Sequence, residues 1–413
     1  MDVRRPIWIH RVRAPGAEAF ALLFALESLA RALIVSIIPV EAFHLLGNAQ
    51  RVSTLFFLVA VAGIGATFIA PWLVRKTARC WVYTLGGICL AAAPLVMWQG
   101  ATAALAAGMV LRVVGVVMTT VCLSLYILDH VARSDFNRSE PMRIFYSAAA
   151  WMVGPALGAW LGTRFGLWAA YLASGCAALV LMGYFWYLRI REVAPLSSFR
   201  GHSVGPLAHV ARFRRQPRLV FAWITAVGRY AWWVMFFVYV PIYVVQQGLG
   251  QMTAGILVSA GSGFLFLLPL FGFAVRLFGV RRVMVAGFAV SGVFTLLFSL
   301  VTPLPWLALT LVLAATIAMV SLDAISNIPF MLAVRRHERA EMTAVYSTYR
   351  DVGEIGAPAT FAVLLKFFAL PVVFAVTGAA MIGLAVLSKR VHPRLGRSAM
   401  RRAPSFPPSA ETI

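Results

Sequence analysis

Apolar stretches of about 20 residues recur along almost the whole length of this chain. An α-helix rises 1.5 Å per residue, so roughly 20 apolar residues cross the ~30 Å hydrocarbon core of a bilayer. Of the 413 residues, 61% are hydrophobic and only 12% are charged, which leaves too few polar side chains to cover a water-soluble protein. We therefore predict an all-α polytopic membrane protein with about twelve transmembrane helices, at 19–46, 52–74, 81–98, 102–128, 144–162, 166–188, 219–246, 253–275, 283–301, 306–332, 343–366 and 370–388.

The gaps between the apolar stretches are short except for 189–218. This segment is polar, basic and interrupted by Pro and Gly, so we interpret it as a cytoplasmic linker between two six-helix bundles, 19–188 and 219–388. We expect 1–18 to be a cytoplasmic N-terminal segment and 389–413 to be a basic, disordered cytoplasmic tail.

The chain carries 36 Lys and Arg against 14 Asp and Glu, a formal charge of +22. Such basicity often indicates nucleic-acid binding. Here the basic residues fall in the gaps between apolar stretches, so we expect no nucleic-acid partner. With the N-terminus inside, 29 basic residues fall in inside segments and 3 in outside loops. This positive-inside bias predicts a multi-pass protein of the cell membrane with both termini in the cytoplasm.

The two predicted bundles share sequence features at a nearly constant spacing. Pro39 in the first predicted helix matches Pro241 in the seventh at an offset of 202, and the Tyr-Ser pair at 146–147 recurs at 346–347. We therefore predict two pseudo-symmetric halves. Repeated halves with a binding site near the bilayer midplane are typical of secondary transporters.

A glycine-rich motif occupies the fifth predicted helix, with the sequence GPALGAWLG over 154–162. Gly154, Gly158 and Gly162 form a stripe of small residues that lets another backbone approach closely, and Pro155 removes a helical hydrogen bond and permits a bend. The motif resembles the antiporter motif of the major facilitator superfamily, and the likeness to that superfamily extends over about 15–390. The alternative is ordinary helix packing.

The loop after the second helix also resembles a motif of this superfamily. Arg75 and Arg79 stand at its basic positions, while its usual acidic residue is missing; the copy in the second half keeps Gly279 and Arg281. We expect Asp129, at the inner end of the fourth helix, to pair with this loop. Positive-inside bias explains the arginines equally well, so a latch function stays open.

Charged side chains inside the bilayer are costly, so each needs a partner or a water-filled cavity. Glu27 and Arg31 are spaced i,i+4 on one helix, as are Arg350 and Glu354, and the 202-residue offset superposes Glu27 on Arg229. The alternative is that the i,i+4 pairs are purely structural. The residues that we assign to substrate or proton coupling are Glu27, Arg31, Arg112, Arg229, Asp323, Arg350, Asp351 and Glu354.

The superfamily resemblance implies a cavity lined by helices one, four, seven and ten. We predict a secondary active transporter that works by alternating access and couples export of a small molecule to protons. One alternative is uptake or exchange of an organic anion by an arginine clamp of Arg31, Arg112 and Arg229. Another is a membrane sensor or scaffold that transports nothing.

Motifs of other protein classes are missing from the sequence. It contains no HExxH, no GxSxG and no Walker A lysine, so we expect neither an enzyme nor an ATP-driven pump, and no cofactor or metal. The expected partners are the small-molecule substrate, protons and membrane lipid, and we expect a monomer.

The topology is testable at Ser198, in the predicted cytoplasmic linker. With the four native cysteines replaced by Ala, a Ser198→Cys variant should react with an impermeant maleimide only after the cells are permeabilised. An Asn48→Cys variant, in a predicted outside loop, should react in intact cells. Labelling of the Ser198→Cys variant in intact cells would contradict the predicted orientation.

Overall fold

The computed structural model describes residues 17–130, 136–188, 206–335 and 338–389, and within these ranges the chain is helical with no β-strand. The first helices are α1 (Ala17–Ala32), α2 (Ile37–Leu46), α3 (Ala49–Lys76), α4 (Arg79–Met97), α5 (Thr102–His130), α6 (Phe136–Phe165) and α7 (Leu167–Tyr187). They are followed by α8 (Pro206–Arg214), α9 (Pro217–Gln246), α10 (Gly250–Gly263), α11 (Leu268–Phe278), α12 (Val280–Leu300), α13 (Pro305–Asp323), α14 (Ile328–Ala333), α15 (Arg339–Ser347), α16 (Tyr349–Phe367) and α17 (Pro371–Ser388).

Eleven helical segments of the described chain are long and apolar enough to cross a membrane. Eight are single helices, and three consist of two helices with a short break between them: α1 with α2, α10 with α11, and α13 with α14. The predicted span at 343–366 is not among the eleven, because its main helix, α16, carries four charged residues in 19. The all-α, multi-pass membrane fold is confirmed.

The helices pack into two compact units. The first comprises Met1–Ser203, Trp233–Phe266 and Asp351–Val373, and the second comprises the remaining segments, Val204–Trp232, Leu267–Arg350 and Phe374–Ile413. These units do not follow the predicted six-helix halves, so the division of the sequence at 189–218 stays a prediction.

The first membrane-crossing segment is broken in its middle, within the first unit. Residues 33–36 form a turn between α1 and α2, and the Val35 amide bonds to the Ala32 carbonyl three residues back, at 3.3 Å. Such a turn departs from the i→i−4 pattern and leaves carbonyl groups of the preceding helix without their regular donors. A break at membrane depth is tolerated only where these groups find partners inside the protein.

The glycines of α6 face this break. A Cβ at Gly154 would come within 2.5 Å of the Ala32 Cβ, and a Cβ at Gly158 would overlap the Leu33 carbonyl oxygen. The close backbone approach predicted at Gly162 does not occur, because a Cβ there would lie 3.5 Å from its nearest neighbour, an ordinary contact. Close backbone approach is therefore confined to the first two glycines of the stripe.

Pro155 lies inside α6, which runs without interruption from Phe136 to Phe165. The break in the helix path lies in the facing segment, at 33–36, and the predicted bend at Pro155 stays a prediction. Next to the proline, the Ala156 amide donates a hydrogen bond to the Ser259 hydroxyl of α10 at 2.8 Å. The motif thus also joins α6 to α10 within the first unit.

A second break lies within the second unit, at 324–327 between α13 and α14. The Ser326 carbonyl in this break accepts a hydrogen bond from the Tyr346 hydroxyl at 3.0 Å. The Tyr346 ring stacks on Phe330 with 4.2 Å between ring centroids, and both side chains are buried. A buried aromatic cluster therefore holds the broken segment in place.

The glycine contact is testable by adding one methyl group. Gly158→Ala should lower the melting temperature of the purified protein, because overpacking against a backbone costs about 1–3 kcal/mol. The matched control, Gly162→Ala, should melt close to the wild type because its Cβ has room. Equal melting temperatures for the two variants would show that the approach of α6 to residues 33–36 does not contribute to stability.

Candidate functional site

The first candidate site surrounds Glu27, which is completely buried in α1. Its Oε1 atom accepts hydrogen bonds from Arg31 Nη1 at 3.3 Å and from Thr120 Oγ1 of α5 at 3.5 Å. Its Oε2 atom is also buried and has no hydrogen-bond partner among the described residues. The predicted i,i+4 pair of Glu27 and Arg31 is thus confirmed, and the carboxylate keeps one oxygen unpaired.

Two further side chains shape the electrostatics around Glu27. Arg143 of α6 is close enough to interact electrostatically with the carboxylate, and its guanidinium lies 4.8 Å from the centre of the Phe24 ring. The Arg31 guanidinium lies 5.8 Å from the Trp151 ring, and 27% of its side chain is exposed. The buried acid is therefore compensated by cations, one of which reaches the surface of the unit.

Two backbone carbonyl groups at the helix break next to Glu27 accept hydrogen bonds from side chains. Ser174 of α7 donates to the Ala30 carbonyl at 2.7 Å, and Arg112 Nη2 of α5 donates to the Arg31 carbonyl at 3.5 Å. Arg112, predicted to contact substrate, thus binds the backbone at the break. Ser174 was missed by the sequence analysis, because a single serine in an apolar helix gives no sign of its partner.

The second candidate site lies in the second unit. Arg229 of α9 forms an ion pair with Asp323, the last residue of α13 before the break at 324–327. The two side chains are 12% and 15% exposed, and the Arg229 guanidinium lies 5.8 Å from the centre of the Tyr349 ring. Arg229 and Asp323 were both predicted to act in substrate or proton coupling, but a pairing between them was not predicted.

A small pocket opens beside this ion pair. Its lining combines one charged side chain with two hydroxyl-bearing residues and apolar walls: Thr225, Ala226, Arg229, Met284, Phe288, Leu322, Ile325, Ser326 and Pro329. All of these residues belong to the second unit. The pocket therefore offers a cation in mostly apolar surroundings.

Three of the four charged residues of α16 stand in its first two turns. Arg350 is exposed; its Nε atom donates to the Tyr349 hydroxyl at 3.1 Å, and its guanidinium lies 5.6 Å from the centre of that ring. Asp351 is half-buried and Glu354 is exposed. The pairing of Arg350 with Glu354 and the coupling role of all three residues stay predictions.

The loop after α3 contains one of the expected ion pairs. Arg79, buried at the start of α4, forms a salt bridge with Asp129 near the end of α5, so the expected partnership of Asp129 with this loop is present. Arg75 is exposed. In the second half Gly279 has φ 84° between α11 and α12, a backbone conformation that favours glycine, and Arg281 is half-buried. Whether the loop acts as a latch stays open.

One buried tyrosine of α9 has a contact that its sequence did not indicate. The Tyr239 hydroxyl lies 2.7 Å from the Ser53 hydroxyl of α3. Because Ser53 donates its own proton to the Ala49 carbonyl at 3.0 Å, Tyr239 is the donor. This hydrogen bond joins α3 to α9 within the first unit.

The described residues of these sites were compared with the side-chain groups that bind metal ions. In the described ranges, no group of three or more His, Cys, Asp or Glu side chains is arranged to hold a metal ion. The charged groups of both sites are instead arranged as carboxylate–arginine pairs. Such pairs can exchange partners with a proton or with a charged solute.

Comparison with known proteins places the chain in a family. The sequence profile of the Major Facilitator Superfamily matches residues 20–267, more than half of the chain, and the chain therefore belongs to that superfamily. The resemblance seen in its motifs is confirmed, and the protein is a membrane transporter of this family. No match is found among curated proteins.

Solved structures with the same fold agree with this assignment. A peptide transporter POT in complex with sulfate is similar with a TM-score of 0.73 and 13% identity, over 92% of this chain and 95% of the other. The nucleoside transporter NupG has a TM-score of 0.68 and 15% identity, over 90% and 98% of the two chains. At these identities the likeness shows the fold alone.

The hydrogen bond from Ser174 to the helix break is testable by mutation. Ser174→Ala should lower the melting temperature, because a buried carbonyl left without its donor costs about 1–3 kcal/mol. The matched control is Ser321→Ala, since the buried Ser321 hydroxyl donates to a carbonyl within its own helix, α13. If both variants melt alike, Ser174 does not support the break.

Proposed function

We propose that this protein is a secondary active transporter of the cell membrane that works by alternating access and couples export of a small organic solute to inward proton movement. The observation that carries the proposal is the Glu27 site: a fully buried carboxylate with one oxygen bound by Arg31 and Thr120 and the other without a hydrogen bond. An acid held in this way has two distinct pairing states.

The first step is the exchange of a proton at Glu27. When the carboxylate is charged, it holds Arg31 in an i,i+4 ion pair. When it is protonated, Arg31 loses its counter-ion and is free to turn towards the surface that its side chain already reaches. A switch requires such a difference in contacts between two states.

The second step is transmission to the backbone. Arg31 is followed directly by the end of α1 and the turn at 33–36, and its own carbonyl accepts the hydrogen bond from Arg112. Gly154 and Gly158 bring α6 against the same turn. A change in the Glu27–Arg31 pair therefore acts next to the break between α1 and α2, which several helices contact. At such a break the helix can reorient at a lower energetic cost than within a continuous stretch.

The direction of transport is supported by the likeness of 154–162 to the antiporter motif. The solved structures described as transporters of peptides and nucleosides support a small organic solute. We further propose a monomer with both termini in the cytoplasm, from the distribution of basic residues. Uptake or exchange of an organic anion is the second candidate, favoured by the position of Arg229 in its pocket.

The coupling role is tested by Glu27→Gln, which imitates the protonated acid. A transported solute is first identified in proteoliposomes with a panel of labelled organic anions and cations. We then expect the variant to exchange this solute near the wild-type rate but to lose accumulation driven by a pH gradient. Glu18→Gln, at an exposed glutamate of the same helix, is the matched control and should accumulate normally.

Three outcomes would contradict this account. Unchanged pH-driven accumulation in Glu27→Gln would remove Glu27 from coupling and favour Asp323. Poor folding of the variant, with Arg31 left without its counter-ion, would assign Glu27 a structural role. Transport of no solute at all by the wild type would favour a membrane sensor or scaffold.

A further inference from the structure

We propose that Glu41 is a second proton-binding site, and that a proton bound there holds α2 against Tyr171 of α7. The inference rests on the proposed proton coupling and extends it to a carboxylate that the mechanism at Glu27 does not use. The ligand is a proton that arrives from outside, the side on which the predicted topology places the end of α2.

Glu41 lies in α2, beyond the break at 33–36, and only 7% of its surface is exposed. The Tyr171 hydroxyl of α7, which is itself buried, donates a hydrogen bond to Glu41 Oε2. His44 stands one turn further along α2 and is exposed. The carboxyl group is therefore buried within one helical turn of the surface, where a proton can reach it without crossing the core of the unit.

Glu41 differs from Glu27 in having no cation beside it. Among the described residues it forms no ion pair, and its hydrogen-bond partner is Tyr171. The helices packed against α2 are α3, α5, α6 and α10, in addition to α7 through Tyr171. The first turns of α5 and the whole of α10 carry no ionisable residue. The ionisable side chains at this end of α2, α3 and α6 are all exposed: His44, Arg51 and Arg164.

Burial without a cation decides the charge of Glu41 in this arrangement. An ionised carboxylate taken out of water costs more free energy than one hydrogen bond from a tyrosine returns. The buried side chain is therefore the neutral, protonated acid, whose carbonyl oxygen accepts the hydrogen bond from Tyr171. When the proton leaves, the carboxylate has to reach water, and the contact between α2 and α7 opens.

Helix α7 binds both sides of the break. Ser174 donates to the Ala30 carbonyl of α1 at 2.7 Å, and Tyr171, one turn earlier, donates to Glu41 of α2. The first bond joins two neutral groups and does not depend on pH, whereas the second depends on the proton at Glu41. Loss of that proton therefore frees α2 while α1 stays attached to α7, which makes residues 33–36 the hinge.

The test measures hydrogen–deuterium exchange of the purified full-length protein in detergent, over a range of pH and without solute or a pH gradient. Protection is corrected for the intrinsic effect of pH on exchange. Because opening releases one proton, rising pH favours the open state, and protection of residues 37–46 should fall about tenfold per pH unit once Glu41 loses its proton. Residues 17–32 of α1 should keep their protection over the same range.

Three variants separate the groups involved. Glu41→Gln imitates the protonated acid, so it should keep high protection at every pH and melt no lower than the wild type. Tyr171→Phe removes the donor and should lower protection about fivefold at every pH, with the pH dependence retained. His44→Gln is the matched control, because an exposed histidine also titrates near neutral pH, and it should behave as the wild type does.

Four results would overturn the proposal. They are a wild type whose protection at 37–46 does not fall or falls equally at 17–32, the same pH dependence in Glu41→Gln, its loss in His44→Gln, and a Glu41→Gln protein that melts well below the wild type.

The site at Glu41 and the proposed coupling at Glu27 can fail separately. Glu27→Gln keeps Glu41, so the pH dependence of 37–46 should persist in that variant. Loss of proton-coupled transport with this pH dependence intact would refute the proposed function and leave the Glu41 site standing. Normal pH-driven transport together with any of the four results would refute the Glu41 site alone.

Discussion

Pairing of charges inside an apolar helical protein is the constraint on which the rest of this structure depends. An ionised side chain in a bilayer costs several kcal/mol unless a counter-ion or water compensates it. The chain meets this cost twice, with Glu27 and Arg31 in the first unit and with Arg229 and Asp323 in the second. Both pairs are largely shielded from solvent, so changing the partner of either has a large energetic effect.

Each charge pair stands beside a broken helix. The turn at 33–36 follows Arg31, and the turn at 324–327 follows Asp323. Breaks of this kind leave backbone groups to be satisfied by side chains, as Ser174 and Tyr346 do. A helix held by a few such contacts can shift when one of them changes, and this links the charges to movement in the proposed mechanism.

Sequence reasoning could predict what depends on local pattern. Apolar runs gave the all-α membrane fold, and i,i+4 spacing gave the Glu27–Arg31 pair. It could not predict that Arg229 binds Asp323, because the two residues are far apart in the chain and only the packing of α9 on α13 brings them together. Nor did proline alone locate the breaks: Pro155 lies in the continuous helix α6, whereas Pro39 and Pro329 lie in the first turns of α2 and α14, directly after the two breaks.

The central claim is that Glu27 alternates between a protonated and a charged state within a folded, functional protein. Infrared difference spectroscopy of the reconstituted transporter during acidification measures this directly. The account predicts a band from a newly protonated carboxyl group that is present in the wild type and in Asp323→Asn but missing in Glu27→Gln. Identical difference spectra for the wild type and Glu27→Gln would contradict it.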